Sequence, residues 1–369
     1  MKYLILIITI AFIQSCFESP TDPKTEKQNL SEVWSYEHGT VGDAPPIISM
    51  NTIYASGGLY LFALNQDTGE KIWQAQIDND SELKGKLLLM KENQIVANHL
   101  DRIRGWNRIT GNLEWEYVYS DDLEPRLIGD HVVTKDGYAF NASNGKFFVL
   151  NELGKLILEK QLDRNYAVQG LAYYEDHLFI GQKYTVTGAL TLGRITVLNA
   201  QTGDSLWAFD TDQGGFSWVA PIVEDGVLYA STIGNSSGEI AIALDAETGE
   251  ELWRQTNEIF TFNSALGPTH YYINTSGSLA ALNKQTGAIE WRVDWEGSDF
   301  NKPVYLAGYV YHVRDKEMLI INDADGEVVH HEPVPDGTYF WHVAASNDKI
   351  FAQTSRQLIA YQPWHLMVE

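Results

Sequence analysis

The sequence predicts an all-β protein, an eight-bladed β-propeller of four-stranded antiparallel blades. Three observations predict it. A short motif recurs about every 43 residues, brief β-type segments fill the interval between copies, and an orphan segment near the N-terminus supplies the strand that the last unit lacks.

The motif is clearest in ALDAETGEELW, residues 243–253, and returns as ALNQDTGEKIW (63–73), GWNRITGNLEW (105–115), VLNAQTGDSLW (197–207) and ALNKQTGAIEW (281–291). All five carry Thr-Gly, with a tryptophan four residues after the glycine. VLNELGKLILE, around Gly154, and IINDADGEVVH, around Gly326, keep the turn and lose the tryptophan. The marker glycines Gly69, Gly111, Gly154, Gly203, Gly249, Gly287 and Gly326 are thus 42, 43, 49, 46, 38 and 39 residues apart. Gly145 competes for the third place, but Gly154 fits the period better. A sustained period of this length marks a repeat architecture.

Between markers the chain reads WVAPIVE, VLYAST, EIAIALD and ELWRQ, broken by Asp-Gly, Gly/Ser and Thr-Gly turns. β-Branched and aromatic segments separated by such turns form an antiparallel meander. Radial repetition of four-stranded units makes a propeller. The segment after Gly326 ends with only three strands, and EVWSYEH (32–38) stands alone at the other end. The N-terminal strand is therefore expected to close the last blade, which removes two free sheet edges. Trp73, Trp115, Trp207, Trp253 and Trp291 are the expected docking residues, each packing on its own blade or the next.

The N-terminus reads as an export signal. Lys2 precedes about eleven mostly apolar residues, too few for a permanent membrane span. ILE-GLN-SER-CYS at 13–16 is similar to the lipobox of bacterial lipoproteins, with Gln14 its departure, and Cys16 is the one cysteine of the chain. Residues 1–15 are read as a lipoprotein signal peptide, 16–31 as the lipidated cysteine and a polar, proline-bearing tether, and 32–369 as the propeller. A flexible tether of that length reaches on the order of 20 Å. The chain holds 26 basic and 49 acidic residues, a formal charge of −23, which repels nucleic acid phosphates and disfavours that partner class.

The motif A-x-(D/N)-x-x-T-G-x-x-x-W resembles the tryptophan-docking repeat of the PQQ-like, or quinoprotein-type, propellers. The resemblance covers nearly all of 32–369. Two branches share the repeat: quinone-dependent dehydrogenases and the BamB lipoproteins of outer-membrane assembly. The dehydrogenases are longer, hold pyrroloquinoline quinone (PQQ) and calcium on the propeller axis, and in many cases place a cysteine pair over the cofactor. This chain has no Cys-Cys pair and no basic cluster in the axial strands suited to the quinone's carboxylates. The resemblance to the BamB branch implies a non-catalytic scaffold, with the outer-membrane β-barrel assembly machinery as partner. It also implies attachment to the outer membrane facing the periplasm, a monomeric domain, and no cofactor. A PQQ-dependent oxidoreductase and another ligand-binding periplasmic propeller are the alternatives.

The residues themselves offer few chemical sites. NDADG (322–326) begins like a calcium loop, but the twelfth position from Asp323 is Val334, where a bidentate carboxylate is required. The acidic turn residues Asp67, Glu247, Glu250, Asp323 and Asp325 are therefore expected to be solvated. His330, His331 and Glu332 could suggest zinc, but adjacent strand residues point to opposite faces. Catalytic and metal sites are accordingly expected to be absent.

Two features remain as candidate interaction elements. The spacing of 49 implies an insertion between Lys183 and Gly193, carrying Val186, Leu190 and Leu192 with Arg194 at its base. Loops leading into the inner strands hold Phe216, Trp218, Phe260, Phe262, Trp295, Phe300, Tyr339, Phe340 and Trp341. Gathered around the axis, these aromatics either plug the channel or present a partner surface. The partner reading takes Phe216, Trp218, Trp295, Tyr339 and Trp341.

Overall fold

The computed structural model describes residues 29–368, apart from 40–43, 78–87, 99–101, 120–129, 143–144, 164–165, 186–190, 217–219, 235–237, 257–260, 276, 298–300 and 336. The expected signal peptide, Cys16 and most of the expected tether lie outside the described residues.

Eight four-stranded antiparallel sheets follow one another along the chain. Blades 1 to 7 span 47–76, 88–118, 132–161, 167–211, 222–255, 261–294 and 304–333. Blade 8 takes three strands from 340–361, and its outermost strand is the N-terminal Glu32–Glu37, paired with Gln357–Tyr361. The ring closes as the orphan strand predicts.

The motif builds the turn between the third and the outer strand. Its Asn or Asp side chain caps the turn: Asp245 Oδ1 accepts the Glu247 and Thr248 amides at 3.0 and 2.7 Å, and Asn65 accepts those of Asp67 and Thr68. This is the local bonding for which short amide and carboxylate side chains are favoured in turns. The outer strand then bulges by one residue. Ala243 faces Trp253 while Leu244 faces Glu251, so Leu252 is left unpaired and half exposed. The bulge turns the tryptophan inward, toward the next blade.

There the tryptophan lies on the marker glycine of its neighbour. A Cβ on Gly287 would come within 2.4 Å of the Trp253 ring, and the indole Nε1 donates to the Lys284 carbonyl at 2.8 Å. Trp34 on Gly69, Trp73 on Gly111, Trp115 on Gly154, Trp207 on Gly249 and Trp291 on Gly326 repeat the contact. Trp34, Trp73 and Trp291 also donate to the neighbouring turn's carbonyls. The docking is therefore between blades, and Gly154 rather than Gly145 is the third marker. Gly287 has φ +71°, so it is chosen twice over, for its conformation and for its bare face.

Two junctions differ. Blade 3 offers Leu158 to Gly203 in place of a ring. Blade 7 offers His330, which stacks on Trp364 of the C-terminal 3-10 turn, centroids 4.9 Å apart. Beside it the buried Glu332 carboxylate accepts the Leu30 amide at 2.6 Å and lies 2.9 Å from His330 Nε2. Packing thus begins at Leu30, two residues before the expected boundary. His331 turns the other way, toward Glu317, as strand alternation requires.

A second row of contacts closes the opposite end of the blades. Buried Asn274 donates to the Asn301 carbonyl, and buried Gln353 to that of Ser56, both at 2.8 Å. In blade 3 His131 is 5% exposed against Phe140. Burial pushes its imidazole down to about 4.

Two stability measurements follow from this packing. Gly287→Ala and Gly226→Ala both place Cβ at positive φ, but nothing lies within 4 Å of the second. Urea unfolding is expected to show a loss of about 1 kcal/mol for Gly226→Ala and about 3 kcal/mol or more for Gly287→Ala. His131 is neutral when folded and protonates near its ordinary value when unfolded. Its contribution is complete above about pH 6.5 and is lost as pH falls toward 4, on the order of 3 kcal/mol. His131→Phe is expected to flatten that part of the stability–pH curve.

Candidate functional site

The insertion in blade 4 is a β-ribbon more than a loop. Its strands run His177–Thr185 and Thr191–Asn199, paired through to Thr185 opposite Thr191. The expected free connection therefore shrinks to 186–190, and Val186 and Leu190 lie outside the described residues. Leu192 sits half-buried on the ribbon, opposite Tyr184. Arg194 makes a two-pronged ion pair with Asp210, at 2.6 and 3.0 Å, and its guanidinium stands 4.6 Å from the Tyr166 ring centre. The Asp210 hydrogen bonds raise the Arg194 pKa and keep the group charged.

Phe216 corrects the expectation made for it. It is 1% exposed in the core shared by blades 4 and 5, and cannot form part of a surface. Two glycines in the ribbon make room for it. Cβ atoms on Gly181 and Gly193 would stand 3.3 and 3.0 Å from the Phe216 side chain. The Phe216 amide donates to the Gln182 carbonyl at 3.2 Å. The side chain clamps the base of the ribbon to blade 5, so its neighbours project from a fixed root. Beside that root is a cavity of about 340 Å³ lined by Tyr166, Leu192, Asp210, Thr211, Asp212 and Arg254.

The other aromatics divide. Trp295 is half-buried, stacked on His312 at 5.2 Å with Arg314 over its ring. Tyr339 and Trp341 are 48% and 43% exposed, and Trp341 Nε1 donates to Ser355 Oγ at 3.0 Å. Phe340 between them is buried. Trp218, Phe260 and Phe300 lie outside the described residues, as does the side chain of Phe262.

One cluster escaped the sequence reading. Asp323, expected to be solvated, is 9% exposed. Its Oδ1 accepts from the Tyr272 hydroxyl at 2.6 Å and lies 2.7 Å from His270 Nδ1, while His270 Nε2 lies 2.8 Å from Glu290. Burial and Asp323 drive the Tyr272 phenol far up, and the His270 contact holds Glu290 below the ordinary carboxylate range. The same turn's Asp323 carbonyl accepts from Trp291, so the cluster seats the fastener between blades 6 and 7. No sequence signal paired a histidine in one blade with a turn acid in the next.

A model of the outer membrane protein assembly factor BamB family matches residues 26–172, 167–270 and 236–363. The chain belongs to that family. The BamB of Yersinia pestis is 24% identical across 95% of both chains. The quinoprotein alcohol dehydrogenase PedH of Pseudomonas putida is also 24% identical over 81% of this chain, which spans only 47% of that enzyme. The crystal structure of Moraxella catarrhalis BamB superposes with a TM-score of 0.69 over 90% of this chain and all of the other, at 17% identity.

Arg104, Arg194, Arg254, Lys284 and Lys349 are each committed to carboxylates in ion pairs, so these five are not available to the carboxylates of a quinone. Among the described residues no group of three or more His, Cys, Asp or Glu could hold its metal.

Phe216→Ala is expected to loosen the ribbon. Hydrogen exchange at 182–185 and 191–194 should accelerate at least tenfold, with a stability loss of about 3–5 kcal/mol.

Proposed function

We propose that the protein is a non-catalytic, lipid-anchored scaffold of outer-membrane β-barrel assembly, held to the membrane through Cys16. The observation that carries this reading is the extent of the family match, which runs from residue 26 to 363 and pairs this chain end to end with a BamB. The dehydrogenase is instead matched over under half its length. The lipobox-like IQSC and the polar tether support the anchor.

The ribbon is the partner element. A rigid ring supplies fixed docking edges, and the Phe216 clamp holds Leu192 and Arg194 in place for a partner chain. Preorganised contacts lose less entropy on binding than free loops do.

The tests separate anchor from scaffold. Cys16→Ser is expected to abolish acylation, read by intact mass, and to shift the protein from membrane to soluble fractions. Leu192→Asp with Arg194→Glu is expected to cut co-purification with the β-barrel assembly complex about tenfold while leaving the melting temperature near wild type. Stoichiometric PQQ binding with calcium and dye-linked alcohol oxidation would overturn the scaffold reading.

A further inference from the structure

The repeat contains its own controls, and two adjacent turns depart from them. The residue two before the marker glycine, or one before it in the shorter blade 3 turn, is Asp67, Gln201, Glu247 or Gln285 in blades 1, 4, 5 and 6 and Ala324 in blade 7. In blades 2 and 3 it is Ile109 and Leu153, 63% and 67% exposed. Two residues after the glycine, blades 1, 4 and 5 have Lys71, Ser205 and Glu251 and blades 6 and 7 the part-buried Ile289 and Val328, whereas Leu113 and Leu156 are 52% and 43% exposed. Ile157 beside them is 49% exposed and adds to the cluster, although its position is equally exposed and aliphatic at Ile72, Leu206 and Leu252 of blades 1, 4 and 5. Single surface aliphatics need no explanation, but five on two joined turns do.

The two turns form one rigid surface. Trp115, two residues after Leu113, lies on Gly154, the residue after Leu153. Gln94 ties them together with all its polar capacity: its Nε2 donates to Glu114 Oε2 at 2.7 Å and to the Glu152 carbonyl at 2.9 Å. Its Oε1 accepts from Trp115 Nε1 and the Tyr138 hydroxyl.

The surroundings choose the occupant. Glu92, Glu114 and Glu152 gather at this seam and together raise the Tyr138 phenol, after burial itself. Of the nearby cations, Lys91 is held by Glu152 and by backbone carbonyls, Arg108 is turned onto the Glu92 carbonyl, and Lys155 remains exposed. These charges balance locally, but a chain of charge −23 repels an anionic lipid surface and a second copy of itself. A polypeptide surface with an aliphatic centre and a basic rim complements it in both respects.

We propose that Ile109, Leu113, Leu153, Leu156 and Ile157 form a docking surface for a protein whose contacting face sets aliphatic side chains among lysines or arginines. The surface lies on the repeat turns and is separate from the blade 4 ribbon. It does not depend on the outer-membrane reading.

The test places the photo-crosslinker benzoylphenylalanine at Leu153 in the full chain in its own cells, with Gln285, the matching turn position of blade 6, as control. The expected result is one protein adduct at 153 and none at 285. Its crosslinked peptide, mapped by mass spectrometry, should carry aliphatic residues flanked by Lys or Arg. Ile109→Asp should reduce the yield at least tenfold while the melting temperature stays near wild type, and raising salt should also weaken it. An adduct with lipid, with a second copy, or with a peptide lacking basic residues overturns the proposal. So does an equal yield at the two positions.

Discussion

Everything in this propeller hangs on one contact, a tryptophan face laid on a glycine of the next blade. A four-stranded sheet buries little by itself, and the ring becomes a folded domain only when each blade covers its neighbour. The indole is suited to the task because it buries a large apolar face and carries a donor at its edge. Trp34, Trp73, Trp253 and Trp291 use both, with the face on glycine and the Nε1–H on a turn carbonyl. The contact also explains the rest of the motif. The Asn or Asp cap fixes the turn, the glycine leaves space, and the outer-strand bulge aims the ring.

The fastener cannot be used at the seam where the chain ends meet, because blade 8 has no turn between its third strand and the N-terminal strand. The structure substitutes His330 on Trp364, with the Glu332 carboxylate holding the Leu30 amide. A charge-assisted hydrogen bond is stronger than a neutral one. It is placed at the point where a ring would open first, and where the chain toward Cys16 leaves the domain.

The fold was almost wholly legible because its determinant is periodic: spacing gave the blade count, and the orphan strand gave the closure. What stayed hidden depends on side chains meeting across blades. The burial of Asp323 was unreadable because its partners, His270 and Tyr272, lie more than 50 residues away. Phe216 looked like a surface aromatic, and only Gly181 and Gly193, unremarked in the sequence, make the slot that buries it. Leu192 and Arg194 were located by the broken period. Ile109 and Leu153 were missed because they keep the period and change only its polarity.

Apart from the closure at blades 7 and 8, the departures from the repeat fall on neighbouring blades. Blades 2 and 3 carry the aliphatic turns, blade 3 docks with Leu158 in place of a tryptophan, and blade 4 carries the ribbon. Trp207, at the junction of blades 4 and 5, finds no acceptor for its buried Nε1 among the described residues. The opposite arc, through the closure, keeps its indole donors satisfied or replaces them with Glu332. A ring whose fasteners were all required equally would show no such division. The arc from blade 2 to blade 5 thus differs in its fastening residues from the arc through the closure. Because each blade is a separate four-stranded sheet, a substitution on one arc acts on the other only through the contacts between neighbouring blades.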